Sequence, residues 1–101
     1  MHVHIETTDD VGRERVIQLL QYSLNGHSED IERLQLNVAA IRNPLGTELH
    51  RCRLRALLRY GKSIEVEEVQ SRLDLAVTRV LDRCVRNIRR RHHSSARRHS
   101  A

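Results

Sequence analysis

The residues best equipped for chemistry are arginines near the end of the chain. Five of them recur at helical spacing and fall on one side of a predicted helix: Arg72, Arg79, Arg83, Arg86 and Arg90. A guanidinium group presents a planar set of donors that matches the oxygens of a phosphate. The row extends about 27 Å at about 1.5 Å per residue, so several phosphates of one RNA helix can be bound together. A row of charges also keeps a surface helix soluble, and this is the alternative explanation.

Two other groups of arginines are candidates for the same chemistry. The first alternates along one face of a predicted strand: Arg51, Arg53, Arg55 and Arg59. Glu65 and Glu67 on the next strand can pair with this group across the sheet, so internal ion pairs explain it as well as RNA does. The second group lies at the C-terminus and predicts a flexible electrostatic contact: Arg89, Arg90, Arg91, Arg97 and Arg98.

Histidine and cysteine are the other residue types that can carry chemistry. His2 and His4 share one face of the first strand and His92-His93 lies near the C-terminus, but no spacing predicts the four convergent ligands of a zinc site. Cys52 and Cys84 occupy apolar positions, which favours packed thiols over reactive ones. No glycine-rich phosphate loop, nucleophile elbow or pair of catalytic carboxylates is visible. We therefore expect no enzyme activity, no metal and no cofactor.

The overall composition agrees with an anionic partner. The 101 residues include 18 Lys+Arg against 13 Asp+Glu, a formal net charge of +5, and Lys62 is the single lysine. A polyanion explains this preference for arginine, although a GC-rich genome produces the same bias through its codons. No apolar run is long enough to span a membrane and the N-terminus does not resemble a signal peptide, so we expect a cytoplasmic protein.

The first two elements follow from the spacing of apolar residues. Alternation around Val3 and Ile5 predicts a strand over residues 1–7. Apolar residues at helical spacing then predict a helix from about residue 10 to about residue 25, closed by Asn25-Gly26.

Three strands follow, each alternating between apolar and polar residues. The first begins at Ile31, the second spans residues 48–60 and the third contains Ile64 and Val66. Turn residues at positions 43–46 and 61–62 predict an antiparallel meander. The side chains expected to face the core on the first two of these strands are Leu34, Leu36, Val38, Ala40, His50, Cys52, Leu54, Ala56 and Leu58.

The last helix is the clearest element. Its predicted buried stripe is Leu73, Val77, Val80, Leu81, Cys84 and Ile88. Ser71 with Asp74 three residues later predicts a capping box at its start. We divide the chain into a folded domain over residues 1–91 and a disordered basic tail over residues 92–101, because the tail has no apolar residue larger than alanine.

This order, β-α-β-β-β-α, predicts an α+β two-layer sandwich with both helices on one face of a four-stranded sheet, as in double-stranded-RNA-binding domains. The helix between the first two strands makes a crossover, so these strands should be parallel. The chain has Tyr22 and Tyr60 but no Trp or Phe, so the exposed sheet face lacks the aromatic platform on which bases stack. RNA should therefore be recognised through its backbone and shape.

The element order and the last helix together resemble the bacterial ribosome hibernation-promoting factors. This family of ribosome-associated translation inhibitors is also called the sigma-54 modulation or ribosomal subunit interface proteins. Family members carry Asp-Lys-Leu-x-Arg-Gln followed by basic residues, where this chain has Asp82-Arg83-Cys84-Val85-Arg86-Asn87, then Ile88 and three arginines. Ala76-Val77 is similar to the family's Ala-Ile, and residues 61–69 resemble the third strand of its meander.

Several positions depart from the family pattern. The usual Asp near Arg72 and Tyr near Asp74 are missing, and Cys84 stands where a leucine is usual. The segment between the first strand and the first helix is shorter and lacks the customary Gly-Arg. The chain is expected to correspond to the short form, without a C-terminal dimerisation domain.

The resemblance implies binding to the RNA of the small ribosomal subunit in its decoding channel, and inhibition of translation during ribosome hibernation as a stress response. By position it implies an RNA-contacting role for the following residues, the first five most directly: Arg79, Arg83, Arg86, Arg89, Arg90, Arg13 and Arg15. Arg72 is a candidate through its place in the row of arginines.

Two alternatives stay open. The first is a general module for structured RNA, since the predicted fold also resembles double-stranded-RNA-binding domains. The second is a protein-interaction domain that forms a homodimer through the open sheet face, where Ala39, Ile41, Leu49 and Leu57 supply apolar area.

Overall fold

The architecture comes from a computed structural model. It describes the backbone of residues 1–8 and 10–100, and the side chains of residues 1–8 and 12–90. The elements are β1 (His2–Thr7), α1 (Asp10–Leu24), β2 (Ile31–Arg42), β3 (Glu48–Leu58), β4 (Ser63–Gln70) and α2 (Leu73–Ser100). The predicted element order and the α+β class are confirmed.

The four strands form one sheet in the order β1-β2-β3-β4. β1 is parallel to β2, as the crossover through α1 predicts, and the β2–β3 and β3–β4 pairs are antiparallel. Gly61 has a φ of 83° in the turn between β3 and β4, a backbone conformation that a residue without Cβ adopts at little cost. Strands β1 and β4 are therefore the two edges of the sheet.

A bulge at the start of β2 was not predicted from the alternation. Ile31 pairs with Leu58 while Arg33 pairs with Leu57, so the register shifts between Ile31 and Arg33. The bulge lets both Ile31 and Leu34 be buried although they are three residues apart. An unbroken strand would direct these two side chains to opposite faces of the sheet.

One core lies between the sheet and the two helices. Its largest fully buried side chains are Ile31, Leu34, Leu36, Leu54, Leu58, Leu81, Ile88, Val16, Val77, Val80, Cys52 and Cys84. Two predicted core positions are wrong, since Ala40 is exposed and His50 is only partly buried. They lie beyond Val38 and Cys52, the last buried pair of the β2–β3 hairpin, so the helical layer does not reach the end of this hairpin.

Helix α2 packs against β3, β4 and α1. Its predicted stripe is buried, except that Leu73 is only partly covered, and Ala76 and Val85 join it. The backbone helix continues to Ser100, beyond Arg91, where we expected the folded domain to end. The side chains of residues 91–100 and all of Ala101 lie outside the described residues, so the assignment of residues 92–101 to a disordered basic tail stays a prediction.

Cys52 on β3 and Cys84 on α2 are free thiols inside the core. Burial raises the pKa of Cys52 to about 12 and the pKa of Cys84 to about 11, because a thiolate loses hydration there. Both thiols are therefore protonated near neutral pH and serve as packed apolar groups, as their positions predicted.

Within the described part of the chain, no helix has both the length and the hydropathy required to cross a membrane.

Candidate nucleic-acid interface

The predicted arginine row of α2 is exposed along its full length. We use "α2 row" for its five members: Arg72, Arg79, Arg83, Arg86 and Arg90. The last four lie on α2, whereas Arg72 directly precedes the first residue of the helix, Leu73. Asp74 contacts α1 whereas Arg83, nine residues later, contacts β4. Nine residues correspond to about two and a half helical turns, so these contacts lie on opposite sides of α2. The α2 row therefore follows the side of the helix that lies over the β4 edge.

Arg83 connects α2 to the β4 edge through two hydrogen bonds. Its Nη1 donates to the backbone carbonyl of Glu67 at 3.0 Å and to the Glu68 carboxylate at 3.2 Å. The side chain of Glu68 is only 20% exposed, so Arg83 is the counter-charge of a mostly covered carboxylate. The bond to the Glu67 carbonyl also occupies an acceptor on an edge strand that would otherwise be open to pairing.

Arg86 has a carboxylate partner on its own helix. Its Nη2 lies 2.9 Å from Asp82, at the i,i+4 spacing of neighbours on a helix surface. The two side chains are 69% and 55% exposed, and such surface pairs contribute at most about 1 kcal/mol. A phosphate can therefore replace Asp82 as the partner of Arg86 at little cost.

The remaining arginines of α2 are unpaired within the part of the chain whose side chains the structure describes. Arg72, Arg79 and Arg90 of the α2 row are exposed, as is Arg89, and none has an ion pair among those residues. Arg89 is about 100° around the helix from Arg90, so it lies off the α2 row. These four guanidinium groups, three of them on α2 and Arg72 directly before it, are positive charges that no carboxylate of the described side chains neutralises.

The two candidates on α1 are separated from the α2 row. Arg15 pairs with Asp74 at 3.3 Å, which uses the carboxylate that we expected to form a capping box with Ser71. Arg13 lines an apolar groove of about 500 Å³ between α1 and β1, together with Met1 and Val3. Neither residue faces β4, so the structure does not bring Arg13 and Arg15 together with the α2 row.

Three of the four sheet arginines form ion pairs across the strands, as the sequence pattern allowed, whereas Arg59 has none among the described side chains. Arg55 pairs with Glu65 at 3.2 Å, while Arg51 and Arg53 share Glu67 at 3.7 and 3.9 Å. The register places Arg53 opposite Glu67 and Arg55 opposite Glu65. This group lies on the open face of the sheet, whereas α2 covers the other face. The glutamates of β4 thus separate two basic surfaces. Among the described side chains, three of the five arginines in the α2 row have no ion pair, compared with one of the four in the sheet group.

The apolar residues of the open sheet face do not form one patch. Ile41 pairs with Leu49 at the hairpin end, and Ala39 lies beside them opposite Arg51. Leu57 lies opposite Arg33 at the far end of β3. The arginines of β3 occupy the area between, so dimerisation through this face stays a prediction without support from the geometry.

The histidines predicted to be solvated do not form a cluster among the described side chains. His4 contacts Glu6 at 3.1 Å on β1, and both side chains are more than half exposed. Over the described side chains, no cluster of His, Cys, Asp and Glu is arranged to hold a metal ion. His92 and His93 lie outside those residues.

One feature of the surface was missed in the sequence. A groove of about 600 Å³ runs between the end of α1 and the middle of α2, with Tyr22 on one wall and Arg79 and Arg89 on the other. The exposure of Tyr22 could have been predicted from the sequence, since residue 22 does not lie on the face of α1 that carries the buried Val16 and Leu20. The proximity of Arg79 and Arg89 to Tyr22 depends on how the two helices pack, which the sequence pattern does not show.

The fold and the surface together define a small α+β domain with a basic helical layer. A crystal structure of the Thermus thermophilus Protein Y N-terminal domain is similar to this chain, with a TM-score of 0.63 and 22% sequence identity. The similarity covers 89% of this chain and 98% of that domain. At this identity the likeness shows a shared fold. The sequence matches no protein-family model and none of the curated proteins.

Proposed function

We propose that this protein binds the RNA of the small ribosomal subunit through the α2 row and inhibits translation by occupying the decoding channel, as a cytoplasmic ribosome hibernation factor. The observation that carries the proposal is the state of Arg72, Arg79 and Arg90. All three are exposed and have no carboxylate partner among the described side chains. Arg79 and Arg90 lie on one side of α2, and Arg72 directly precedes the first residue of that helix. Unneutralised charges at this spacing suit a row of phosphates.

Two independent likenesses support the choice of a ribosomal partner. The sequence around Asp82 to Arg91 resembles the last helix of the hibernation-promoting factors. The fold is shared with the N-terminal domain of Protein Y, which belongs to that family. A shared fold alone does not establish function, so the proposal depends mainly on the residues that can bind phosphate.

The rigidity of α2 favours recognition of a structured RNA. The helix is anchored by its buried stripe and by Arg83, so the arginines of the α2 row keep fixed spacings before RNA arrives. Such preorganisation reduces the ordering cost of binding. The mechanism we propose involves occupancy alone: the protein fills a site that messenger and transfer RNA need, and no bond is made or broken.

Co-sedimentation with purified small subunits tests the proposal. We expect Arg79→Gln with Arg90→Gln to lose most binding, because it removes two charges from the α2 row without breaking an ion pair. Arg53→Gln with Arg55→Gln is the matched control, since it removes the same net charge from the open sheet face. Equal loss in both variants would show that net charge matters and the α2 row does not.

Competition by RNA separates this function from general RNA binding. A hibernation factor should stay on small subunits in the presence of excess duplex RNA, and it should reduce translation in a purified system in proportion to its occupancy. Transfer of the protein to free duplex RNA would instead favour a module for structured RNA of any source.

A further inference from the structure

The groove between α1 and α2 combines an aromatic ring with positive charge. Tyr22 forms one wall near the end of α1, and Asn25 follows it. The other wall consists of Arg79 and Arg89 on α2, with Val85 at the buried side. The volume of about 600 Å³ lies in the range of small-molecule sites, and a single nucleotide is a ligand of this size.

Tyr22 is a large aromatic residue that lies outside the core. The residue is 87% exposed, whereas Val16, Leu20 and Leu24 on the same helix are buried. A tyrosine ring left in water keeps both of its faces free for a planar ligand. Stacking on such a ring is favourable for every base, because each base has a π-face.

The charges of the groove favour an anion beside this ring. Arg79 and Arg89 are exposed and have no ion pair among the residues whose side chains are described. Asp82 also lines the groove, but its carboxylate lies 2.9 Å from Arg86, and the two arginines of the groove outnumber it. An aromatic ring next to two unpaired guanidinium groups is the combination that proteins use for single-stranded nucleic acid.

We propose that this groove binds one unpaired nucleotide of ribosomal RNA, with its base stacked on Tyr22 and its phosphate held by Arg79 and Arg89. The inference rests on the proposed function, which supplies the RNA. Arg79 belongs to both the α2 row and the groove, so an RNA strand that follows the α2 row reaches Tyr22. The side-chain amide of Asn25 offers a donor and an acceptor to the edge of the base.

This inference changes the expected mode of recognition. The described strands carry no aromatic residue on which bases could stack. The groove instead places Tyr22 in the helical layer, where Arg79 of the α2 row also lines the groove. Recognition through the RNA backbone is then supplemented by one stacked base.

Tyrosine fluorescence tests the stacking directly. The chain has no Trp and two Tyr, so in a Tyr60→Phe background Tyr22 is the sole tyrosine fluorophore. We expect a short single-stranded oligouridylate to quench this fluorescence, and an abasic oligomer of equal length to leave it nearly unchanged. Tyr22→Ala should bind oligouridylate about fivefold to a hundredfold more weakly, whereas Tyr22→Phe should bind like the parent.

Thermal melting provides the control for folding. Because the Tyr22 ring is 87% exposed, Tyr22→Ala should melt at the temperature of the parent protein. Equal affinity of Tyr22→Ala and parent for oligouridylate, or equal quenching by the abasic oligomer, would overturn the inference.

Sedimentation with small subunits separates this inference from the proposed function. Weaker binding by Tyr22→Ala but not by Tyr22→Phe supports both. Full binding by Tyr22→Ala, with loss on Arg79→Gln and Arg90→Gln, removes the stacked nucleotide and keeps the proposed function. If the unmodified protein fails to sediment with subunits, the proposed function fails, and the fluorescence titration still decides whether the groove binds a nucleotide.

Discussion

Arg79 and Arg83 are neighbours in the α2 row, one turn apart, but the structure gives them different contacts. Arg83 bonds to the Glu67 carbonyl and to the Glu68 carboxylate. Arg79 has no ion pair among the described residues and lies at the border of the groove. We therefore predict that Arg83→Ala lowers both stability and RNA binding, whereas Arg79→Ala lowers RNA binding alone.

The magnitude follows from the hydrogen bonds that the substitution removes. Arg83 makes two of them, and a net hydrogen bond contributes about 0.5–1.5 kcal/mol. Its side chain is 47% exposed, so solvent reduces the effect and we expect a loss of about 1 kcal/mol in the free energy of unfolding. For a domain of about 100 residues this corresponds to a melting temperature lower by about 4–8 °C. Arg79→Ala should stay within about 0.5 kcal/mol of the parent.

The assay is thermal unfolding followed by circular dichroism, combined with small-subunit binding for the same two variants. Both variants should bind more weakly, since each has one guanidinium group fewer to bind phosphate. Coincident melting curves for Arg83→Ala and Arg79→Ala would refute the claim that Arg83 stabilises the packing of α2 against β4. Unimpaired subunit binding by Arg79→Ala would count against the phosphate-binding role of the α2 row.

Four further outcomes are expected. Arg53→Ala with Arg55→Ala should leave subunit binding nearly unchanged, because these side chains lie on the open sheet face and pair with β4 glutamates. A loss of binding equal to that of the α2 row variants would show that the sheet face binds RNA. Leu81→Ala should lower the free energy of unfolding by about 2–5 kcal/mol in denaturant titrations, since it leaves a cavity at a fully buried position, and a cost below about 1 kcal/mol would contradict the described packing. Cys52 and Cys84 should resist thiol reagents in the folded protein. Because burial raises both pKa values above the ordinary 9.0, the contribution of the two thiols to stability should be constant below about pH 9. It should fall as pH rises from about 9 towards 11–12, where thiols of the unfolded chain ionise and the buried ones stay protonated. Rapid labelling at neutral pH or a rise in alkaline stability would be the opposite result.

Much of the fold could be predicted because it depends on local periodicity. The alternating strands, the stripe of α2 and the parallel pairing of β1 with β2 each follow from apolar spacing or from connection rules. The ion pairs of Arg53 and Arg55 could also be anticipated, since the short turn at Gly61 fixes which glutamates lie opposite.

The rest depends on packing that the spacing of residues does not encode. The bulge after Ile31 allows both Ile31 and Leu34 to be buried, and it interrupts the regular alternation of β2. The bonds of Arg83 join residues 15 and 16 positions apart in the chain, and one of them uses a backbone carbonyl, which no side-chain pattern reveals. The groove at Tyr22 exists only because the end of α1 lies beside the middle of α2.

The salt dependence of small-subunit binding tests the central claim most directly. If the α2 row meets phosphates, a plot of log affinity against log salt concentration is steep and linear, and Arg79→Gln with Arg90→Gln reduces its slope by about two, roughly one for each phosphate that is no longer bound. Arg53→Gln with Arg55→Gln should leave the slope unchanged. A slope that is shallow in the unmodified protein, or equal in both double variants, would contradict an RNA-binding role for the α2 row.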